Sequence, residues 1–423
     1  MIWLLTAAIL ALAMVGAPIF SLMGGLAIYL FHAVGISTQS IVISITRLAT
    51  LPALIAIPLF TFAGYVLAES GAPRRLVALA EALFGWLPGG VAMSALLATA
   101  LFTAFTGASG VTIIALGGLI YPLLRRQGYP EDFSLGLVTT TGSLGLLFPP
   151  SLPIILYALV GKVSIDRLFA AAAVPGLVLL AILGGYAMLV ASRHGVPRVP
   201  FTRAAAWKAA RDAVWEIPLP FLVIGGIYGG KFTASEAAAI MAFYVVVVEA
   251  LVYRDLALRD LPGVMRRSMM LVGAILIVLG TALGLTDYLI DADVPTRIFQ
   301  FLHAHMHSQW AFLACLNVFL LVVNMVEIFS AIIIVVPIIV PVAVQYGIDP
   351  IHLGTLFLLN LEIGYMTPPL GLNLFLSSRR FQRPLPVLYR ATMPFRAVLL
   401  AALALVTYIP HLSLWLPDVL RIL

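Results

Sequence analysis

Two segments of this chain share one pattern of breaks, and that pattern limits the folds open to it. Residues 105–157 align without a gap on residues 324–376, at an offset of 219. Identical residues meet at Pro122 and Pro341, Gly128 and Gly347, Gly145 and Gly364, and Pro149-Pro150 and Pro368-Pro369. In each copy, apolar stretches are interrupted by Gly, Ser, Thr and Pro at matching places. Paired interrupted segments in two halves are typical of secondary transporters, whose binding sites lie at the interruptions.

The composition indicates a polytopic α-helical membrane protein. The chain has 423 residues, of which 62% are hydrophobic and 10% charged, and its mean hydropathy is +1.10. Nearly uncharged runs such as 2–45 and 268–286 are long enough to span a bilayer. No convincing cleavage site follows the apolar start, so we expect residues 2–34 to stay in the membrane, crossing once or twice. The single Cys315 excludes an internal disulfide framework and a Cys-based metal site.

The apolar pattern predicts full spans, two re-entrant hairpins and two interfacial helices. The spans are expected near 2–34, 48–68, 132–160, 168–191, 217–230, 233–252, 268–289, 351–378 and 391–417. The hairpins are expected at 90–124 and 309–344, with middles at Thr106–Gly110 and Glu327–Ser330, and the interfacial arms at 76–88 and 297–307. We divide the chain into N-terminal scaffold helices (1–75), a first repeat (76–165), central scaffold helices (166–290), a second repeat (291–380) and a C-terminal helix (381–423).

The basic residues predict how the chain lies in the membrane. This layout puts 18 of the 24 Lys and Arg on one side, which the positive-inside rule makes cytoplasmic. The first hairpin then opens toward the cytoplasm, and the second, flanked by Asp291, Asp293 and Asp349, opens outward. The two repeats are therefore predicted to be inverted, as in many ion-coupled carriers. The polar loop 192–216 is interpreted as a solvated loop whose cations contact lipid headgroups or a partner.

Four half-helices are predicted to begin near the bilayer midplane. Two follow the hairpin middles, near Ser109 and Ser330, and two begin at the prolyl pairs Pro149-Pro150 and Pro368-Pro369, where a first helical turn tolerates proline. Helix N-termini favour an anion, and the carbonyls at helix C-termini favour a small cation. Irregular backbone at this depth has to line a cavity or lie buried in protein.

Both broken segments carry oxygen ligands suited to sodium. Thr141 and Ser143 stand in the first, and Asn360 and Thr367 in the second. Sodium, like other hard cations, binds carbonyl, hydroxyl and amide oxygens. The alternative for any single hydroxyl is that it satisfies backbone groups at a helix kink.

Two acidic residues lie closest to the predicted site. Glu327 and Glu362 align with Ala108 and Ser143 of the first copy, so the halves differ chemically. A carboxylate at the membrane midplane is costly and is a functional candidate, although it could also accept N–H bonds from a hairpin. We expect Glu327→Gln to impair function more than the same change at Glu131.

Other motifs carry little weight. Gly225 to Lys231 matches the start of a phosphate-binding loop, but Phe232 replaces the required Ser or Thr. His303, His305 and His307 alternate, and no third ligand for a transition metal is evident. The chain shows no His facing a Gly-x-Ser-x-Gly serine, so a membrane-embedded enzyme is disfavoured, as is ATP drive.

Over nearly its whole length the chain resembles the large membrane subunit of tripartite ATP-independent periplasmic (TRAP) transporters. The matching stretches are 105–110, 128–151 and Asn360-Leu361-Glu362-Ile363-Gly364 through Thr367-Pro368-Pro369-Leu370-Gly371-Leu372-Asn373. The resemblance implies an inverted-repeat elevator-type fold of the ion transporter superfamily. It implies a sodium-coupled importer of organic anions such as dicarboxylates in the bacterial inner membrane. It also implies two partners, a small four-helix membrane subunit and a periplasmic substrate-binding protein.

Residues and resemblance together predict two overlapping sites and no cofactor beyond sodium as coupling ion. The predicted substrate-binding residues are Thr106, Gly107, Ser109, Gly110, Pro150, Glu327, Ser330, Pro369 and Asn373. The predicted sodium-binding residues are Ser109, Thr141, Ser143, Gly145, Asn360, Gly364, Thr367 and Leu370. The alternative function is a stand-alone sodium- or proton-coupled divalent-anion symporter of the same architecture.

Overall fold

A computed structural model describes residues 12, 16–35, 37–324 and 328–420, and in these residues it contains helices and no strands. The N-terminal part holds α1 (Ile19–Ala33), α2 (Gln39–Ala49), a 3-10 turn (Pro52–Ile55) and α3 (Ala56–Glu69). A first arm and a first interrupted region follow: α4 (Ala72–Phe84), α5 (Gly90–Thr106), α6 (Ser109–Ala115), α7 (Gly117–Arg126), α8 (Glu131–Leu144), a 3-10 turn (Gly145–Leu147) and α9 (Leu152–Gly161).

The remaining helices repeat this order after a central section. The central section holds α10 (Ile165–Arg193), α11 (Arg203–Asp212), α12 (Pro218–Tyr228), α13 (Ala234–Val246) with a π-helical extension (Val247–Val252), a 3-10 turn (Leu258–Asp260) and α14 (Leu261–Asp291). A second arm and a second interrupted region follow: α15 (Val294–His305), α16 (Gln309–Val323), α17 (Ile328–Gln345), α18 (Pro350–Gly364) and α19 (Leu372–Phe381). The chain ends with α20 (Leu385–Tyr408) and α21 (His411–Val419).

The all-α membrane class is confirmed. Among the described residues, six helices are long and apolar enough to cross a membrane, and up to eight spans result if each bent helix pair counts as one. One such pair joins Glu131–Leu147 to Leu152–Gly161 with a bend of 46°. The first part of the expected span 2–34 lies outside the described residues, and its second part is α1. The inverted relation of the two regions and the five domain boundaries stay predictions.

Four connections between helices are used below under fixed names. The first tip is residues 107–108, between α5 and α6, and the first break is residues 145–151, between α8 and α9. The second break is residues 365–371, between α18 and α19. The second tip is residues 324–327, of which only Asn324 is described. The first tip turns on Gly107, whose φ of 63° is a left-handed conformation that glycine adopts without steric cost.

Three expectations about helix boundaries are wrong. The prolyl pairs do not stand in a first helical turn, because α9 and α19 begin later, at Leu152 and Leu372. A residue that precedes proline is pushed out of the helical region, and Phe148 is accordingly extended, with φ −106° and ψ 139°. The span expected at 391–417 ends at Tyr408, since Pro410 cannot continue the hydrogen-bond ladder. Finally, the loop 192–216 contains a ten-residue helix, α11.

The two interrupted regions pack into each other reciprocally. The helix that follows the first break, α9, packs on α17, which follows the second tip. The helix that follows the second break, α19, packs on α6, which follows the first tip. The hydroxyl of Tyr157 on α9 donates to the Pro350 carbonyl at 3.1 Å. In each half, the helix after the break therefore packs against the helix that follows the other half's tip.

The first arm is fixed at its N-terminal end by Arg75 on α4. The guanidinium donates to Glu249 at 2.7 Å, to Asp255 at 2.6 Å and to Glu216, and its Cζ lies 3.7 Å from the centre of the Tyr253 ring. The side chains of Glu216 and Glu249 are almost fully buried. Burial raises the pKa of Glu216 even though Arg75 beside it acts in the opposite direction. This Arg75 cluster ties the arm to the ends of α12 and α13.

The second arm is held by aromatic rings instead. Tyr346, at the end of α17, stacks on Phe312 with ring centres 4.2 Å apart. Phe299 and His303 of α15 meet the same ring at 5.1 and 5.8 Å. The Tyr346 hydroxyl donates to the Met306 carbonyl at 3.0 Å. Offset and edge contacts of this kind stabilise by apolar burial and ring electrostatics without formal charge.

Candidate functional site

Buried threonines bind the first tip to the helix that precedes the first break. Thr103 Oγ1 lies 2.8 Å from Thr112 Oγ1 and donates to the Gly142 carbonyl at 3.1 Å. Thr106 Oγ1 is 3.5 Å from the same Thr112 hydroxyl. Thr103, Thr106 and Thr112 are at most 1% exposed. The hydrogen bonds therefore stabilise the tip against α8, where water cannot supply partners.

The first break passes so close to the hairpin that no side chain fits. A Cβ on Gly145 would lie 2.2 Å from the Ala100 carbonyl oxygen and 2.5 Å from the Ala104 nitrogen. Gly142 is similarly enclosed, with Ile113 at 2.5 Å and the Ser109 carbonyl at 3.4 Å from its Cβ position. The predicted residue Gly145 thus lies against α5, and the carbonyl of the predicted residue Ser109 lies beside Gly142, three residues before Gly145. Glycine allows the close backbone approach on which the site depends.

Asn373, from the second half, reaches into the first break. Its side-chain nitrogen donates to Ser143 Oγ at 3.0 Å and to the Thr139 carbonyl at 3.2 Å. A carbonyl oxygen only accepts, so the amide orientation is assigned by this pair of bonds. Thr139 Oγ1 donates to Ser377 Oγ at 2.9 Å, and all four residues are buried. Two predicted residues 230 positions apart, Ser143 and Asn373, are therefore in direct contact.

The second break closes onto the second tip. A Cβ on Gly364 would lie 2.6 Å from the carbonyl oxygen of Asn324, the last described residue before the tip. Ser330, in the first turn of α17, is 7% exposed. The predicted residue Glu327 lies outside the described residues. Gly145 and Gly364, which align in the sequence, each face backbone of their own hairpin. Gly145 faces the last two turns before the first tip, and Gly364 faces Asn324 in the second tip.

Several buried oxygen atoms in and beside the breaks lack hydrogen-bond partners among the described residues. They are Thr141 Oγ1, Ser151 Oγ, Asn324 Oδ1, Asn360 Oδ1, Asn373 Oδ1 and both carboxyl oxygens of Glu362. Buried polar groups are normally paired, so this unpaired set needs an explanation. Hydroxyl, amide and carboxyl oxygens are the ligand types that hard cations prefer. The donor set therefore fits sodium and contains no thiolate or imidazole.

Some predicted residues lie away from this set or are already hydrogen-bonded. The Asn360 amide donates to Asn317 Oδ1 and to the Leu356 carbonyl, each at 2.8 Å, which turns its nitrogen toward α16. Thr367 Oγ1 donates to the Ile363 carbonyl at 2.7 Å. This is the alternative role for such a hydroxyl, in which it satisfies a backbone group at a helix kink. Leu370 is 54% exposed. For these three the predicted ligand roles stay predictions.

The substrate-site prediction also includes backbone positions. Pro150 and Pro369 lie within the first and second breaks, each in a cis prolyl bond. Gly107 faces Leu152, and Gly110 faces Leu376, at 2.5 and 2.9 Å from their Cβ positions. The first tip is thereby enclosed by the helices that follow both breaks.

Sequence reasoning missed the residues that hold the site together. Thr103 and Thr112 bind tip to break, and the pair Thr139 and Ser377 binds the two halves. Gly64 of α3 accommodates the tip itself, since its Cβ position is 2.5 Å from Thr106 Cα. One signal was present in the sequence: Thr99, Thr103 and Thr106 follow helical spacing in an otherwise apolar stretch.

Comparison with known proteins gives a consistent result. Residues 3–412 match the family model described as tripartite ATP-independent periplasmic transporter, DctM component. A C4-dicarboxylate TRAP transporter large permease protein DctM from Pseudomonas aeruginosa is 39% identical over 94% of this chain and 93% of that protein. The protein of the same name from Rhodobacter capsulatus is 35% identical, covering 97% and 98%.

More distant relatives and a solved structure extend the comparison. A sialic acid TRAP transporter large permease protein SiaM from Vibrio cholerae is 30% identical over 86% of each chain. The crystal structure of the Alcanivorax borkumensis YdaH transporter matches with a TM-score of 0.60, 14% identity and 88% and 87% coverage. At that identity the likeness concerns the fold alone.

Proposed function

This chain belongs to the DctM component family of tripartite ATP-independent periplasmic transporters, and from that premise we propose that it imports C4-dicarboxylates by sodium coupling. The family makes it a multi-pass membrane permease subunit and not an enzyme. The observation that carries the coupling proposal is the set of unpaired buried oxygens at the two breaks. The relatives between 33% and 39% identity that are named for C4-dicarboxylates support the substrate class.

The arrangement of helix ends suits an anionic substrate. α9 and α19 begin directly after the two breaks, and α17 begins after the second tip. Their first N–H groups have no intrahelical partners, and each helix end carries partial positive charge. A carboxylate at such an end gains charge-assisted hydrogen bonds. Two such ends would bind the two carboxylates of a short diacid.

Sodium would be held by the oxygen atoms of the breaks. At the first break these are Thr141 and Ser143 with the Asn373 amide, and at the second Asn360 and Thr367, with Glu362 supplying negative charge. Bound sodium supplies positive charge that makes it favourable to bring an anion into a buried site. The role of the chain's own residues is to keep these oxygens oriented, as Asn373 does for Ser143.

The proposed mechanism is elevator-like. The helices around the tips and breaks, α5 to α9 and α16 to α19, would move as one body against the central helices. Reciprocal packing of α9 on α17 and of α19 on α6 supports a single moving body, since neither region can shift alone. The arms α4 and α15 would connect this body to the scaffold.

We also propose the partners and the location. The chain would act in the bacterial inner membrane with a small four-helix membrane subunit and a periplasmic substrate-binding protein. A related isethionate TRAP transporter permease protein, DctMQ from Oleidesulfovibrio alaskensis, is covered over only 59% of its length by this chain. That relative therefore contains further segments beyond the part that this chain matches.

Uptake into proteoliposomes tests the transport proposal. The chain would be reconstituted with its small subunit and supplied outside with the binding protein and a labelled four-carbon dicarboxylate. An inward sodium gradient should drive accumulation above the outside concentration, and a potassium gradient should not. Equal uptake with both gradients would overturn sodium coupling, and uptake that only equilibrates would indicate a passive channel.

Thermal stability tests the cation sites separately from transport. In sodium chloride the melting temperature should exceed that in potassium or choline chloride at equal ionic strength. Ligand linkage gives roughly 1.4 kcal/mol at about ten times Kd. Ser143→Ala and Thr367→Ala should each reduce the sodium-specific shift. An identical melting temperature in all three salts would remove the main support for sodium.

A further inference from the structure

The basic segment between α10 and α12 forms an exposed surface beside the first arm. Residues 192–216 contain five cations and two carboxylates. One of the carboxylates, Glu216, is already paired with Arg75. None of the five cations lies within 4.0 Å of a carboxylate in the part of the chain that the structure describes. Elsewhere on the same predicted side, Arg267, Arg383 and Arg390 do have such partners.

The helix α11 turns a defined stripe away from the protein. It packs on the arm α4, and its only buried side chain is that of Ala209. Arg203, Trp207 and Arg211 are four residues apart and therefore share one face, roughly opposite Ala209. Trp207 is 74% exposed, and both arginines are exposed as well. The stripe thus presents an indole between two unpaired guanidinium groups.

Further aromatic side chains are exposed in the same segment and at the end of the adjoining arm. Phe201 is 50% exposed, Trp215 43% and Trp86, at the end of the arm, 50%. The Val199 nitrogen donates to the Gly85 carbonyl at 3.1 Å, which holds the segment against the arm. α10 ends at Arg193 and α12 begins at Pro218, so α11 stays close to the ends of two apolar helices. Tryptophan and arginine at the ends of apolar helices are typical of the membrane interface.

We propose that this Arg203–Trp207–Arg211 stripe binds the anionic phospholipid headgroups of the cytoplasmic leaflet. Unpaired guanidinium groups are complementary to phosphate, and the exposed indole suits the boundary between headgroups and acyl chains. An acidic partner protein would match the charge but would leave no reason for the largely exposed indole of Trp207 between the two arginines. A lipid held here contacts the helix that supports the first arm and so steadies the arm. The proposal does not depend on the substrate or on sodium.

Quenching of Trp207 fluorescence by brominated lipid tests the proposal directly. The full chain would be reconstituted in vesicles of phosphatidylcholine with a minority of phosphatidylglycerol, with bromine on the chains of one lipid or the other. The Trp207 signal is the difference between the chain and its Trp207→Phe variant. We expect brominated phosphatidylglycerol to quench that signal about fivefold more strongly per lipid than brominated phosphatidylcholine, as two nearby cations predict. High salt should reduce the preference.

Two double variants decide between a specific site and a general charge effect. Arg203→Ala with Arg211→Ala should abolish the preference for phosphatidylglycerol. Arg259→Ala with Arg266→Ala removes the same charge from the exposed start of α14 and the turn before it, on the same predicted side, and should keep the preference. Equal loss in both variants, or equal quenching by the two lipids in the unmodified chain, would overturn the proposal. Absence of quenching by either lipid would also overturn it and would indicate a protein partner instead.

Discussion

The two interrupted regions follow one order of helices but leave different polar groups unpaired. In the first, Thr103, Thr112 and the Gly142 carbonyl satisfy one another, and the unpaired oxygens are the hydroxyls of Thr141 and Ser151. In the second, the unpaired groups within the described residues are the whole side-chain amide of Asn324, the Oδ1 atoms of Asn360 and Asn373, and the whole carboxyl group of Glu362. An unpaired carboxyl in a buried place costs far more than an unpaired hydroxyl.

This difference indicates that similar backbones can serve unequal roles. Glu362 aligns with Ser143, so the one position changes from a neutral hydroxyl that accepts from Asn373 to a buried carboxyl group. In and beside the first break, two buried hydroxyls lack hydrogen-bond partners. In the second region a carboxyl group and several amide atoms lack partners within the described residues, and a cation or residues 325–327 would have to supply them. We therefore expect bound sodium to stabilise the second region more than the first.

The two arms also differ in the kind of contact that holds them. The first arm is fixed by one guanidinium among three carboxylates, and the second by stacked rings around Tyr346. The first half thus holds its arm with charge, whereas the second half holds its arm with apolar rings.

Removing Arg75 should have the largest effect on stability. Arg75→Ala leaves Glu216 and Glu249 buried without their cation, which typically costs about 3–5 kcal/mol. The melting temperature in detergent should fall steeply. The control is Arg267→Ala, which breaks a half-exposed pair with Glu69 and should lower the melting temperature only slightly. Similar losses in the two variants would show that the first arm is not anchored by charge.

Alanine at Gly145 or at Gly364, which align in the two repeats, should have the next largest effect on stability. Gly145→Ala and Gly364→Ala each place a Cβ within 2.6 Å of hairpin backbone, and overpacking of this kind costs about 1–3 kcal/mol. Gly185→Ala in α10 is the matched control, because no atom lies within 4 Å of its Cβ position. A helical glycine in open space gains from alanine, so the control should be neutral or stabilising. If only one site variant loses stability, the two breaks are not equally close to their hairpins.

The sequence predicted the places of the interruptions because their causes are local. Gly107 and the prolyl pairs restrict the backbone wherever they stand, so the first tip and both breaks lie close to their expected positions. The exact helix starts were missed, since the extended residue before a proline shifts the start of the next helix. The fold class followed from apolar lengths that hold for any membrane helix.

The partners of the site residues could not be predicted in the same way. Asn373 meets Ser143 across 230 residues, and Asn360 meets Asn317, where the sequence suggested a ligand. These contacts depend on how α19 packs on the first half and how α18 packs on α16. A side-chain amide is equally suited to a cation and to another amide, and only the packing decides between them.

Glu362→Gln tests the unequal roles of the two breaks. In choline chloride the variant should be about as stable as the parent, because a buried carboxyl group without a cation is held neutral, as glutamine is. In sodium chloride the parent should become the more stable of the two, since only the carboxyl group can ionise and pair with the bound ion. Ser143→Ala, measured in the same two salts, should lose less of the sodium-specific shift. Equal behaviour of the two variants would contradict an asymmetric site.

The smallest expected effect is the coupling between the halves at Asn373 and Ser143. A double-mutant cycle with Asn373→Ala and Ser143→Ala isolates their 3.0 Å hydrogen bond. Each single variant loses that bond, and Asn373→Ala also leaves the Thr139 carbonyl without its donor, so Asn373→Ala should cost more. The coupling energy should be ~1 kcal/mol, the net value of a buried neutral hydrogen bond. Melting temperatures of the four proteins give the value. Strictly additive effects would mean that the second half does not orient Ser143, and the first region would then have to be regarded as independent of the second.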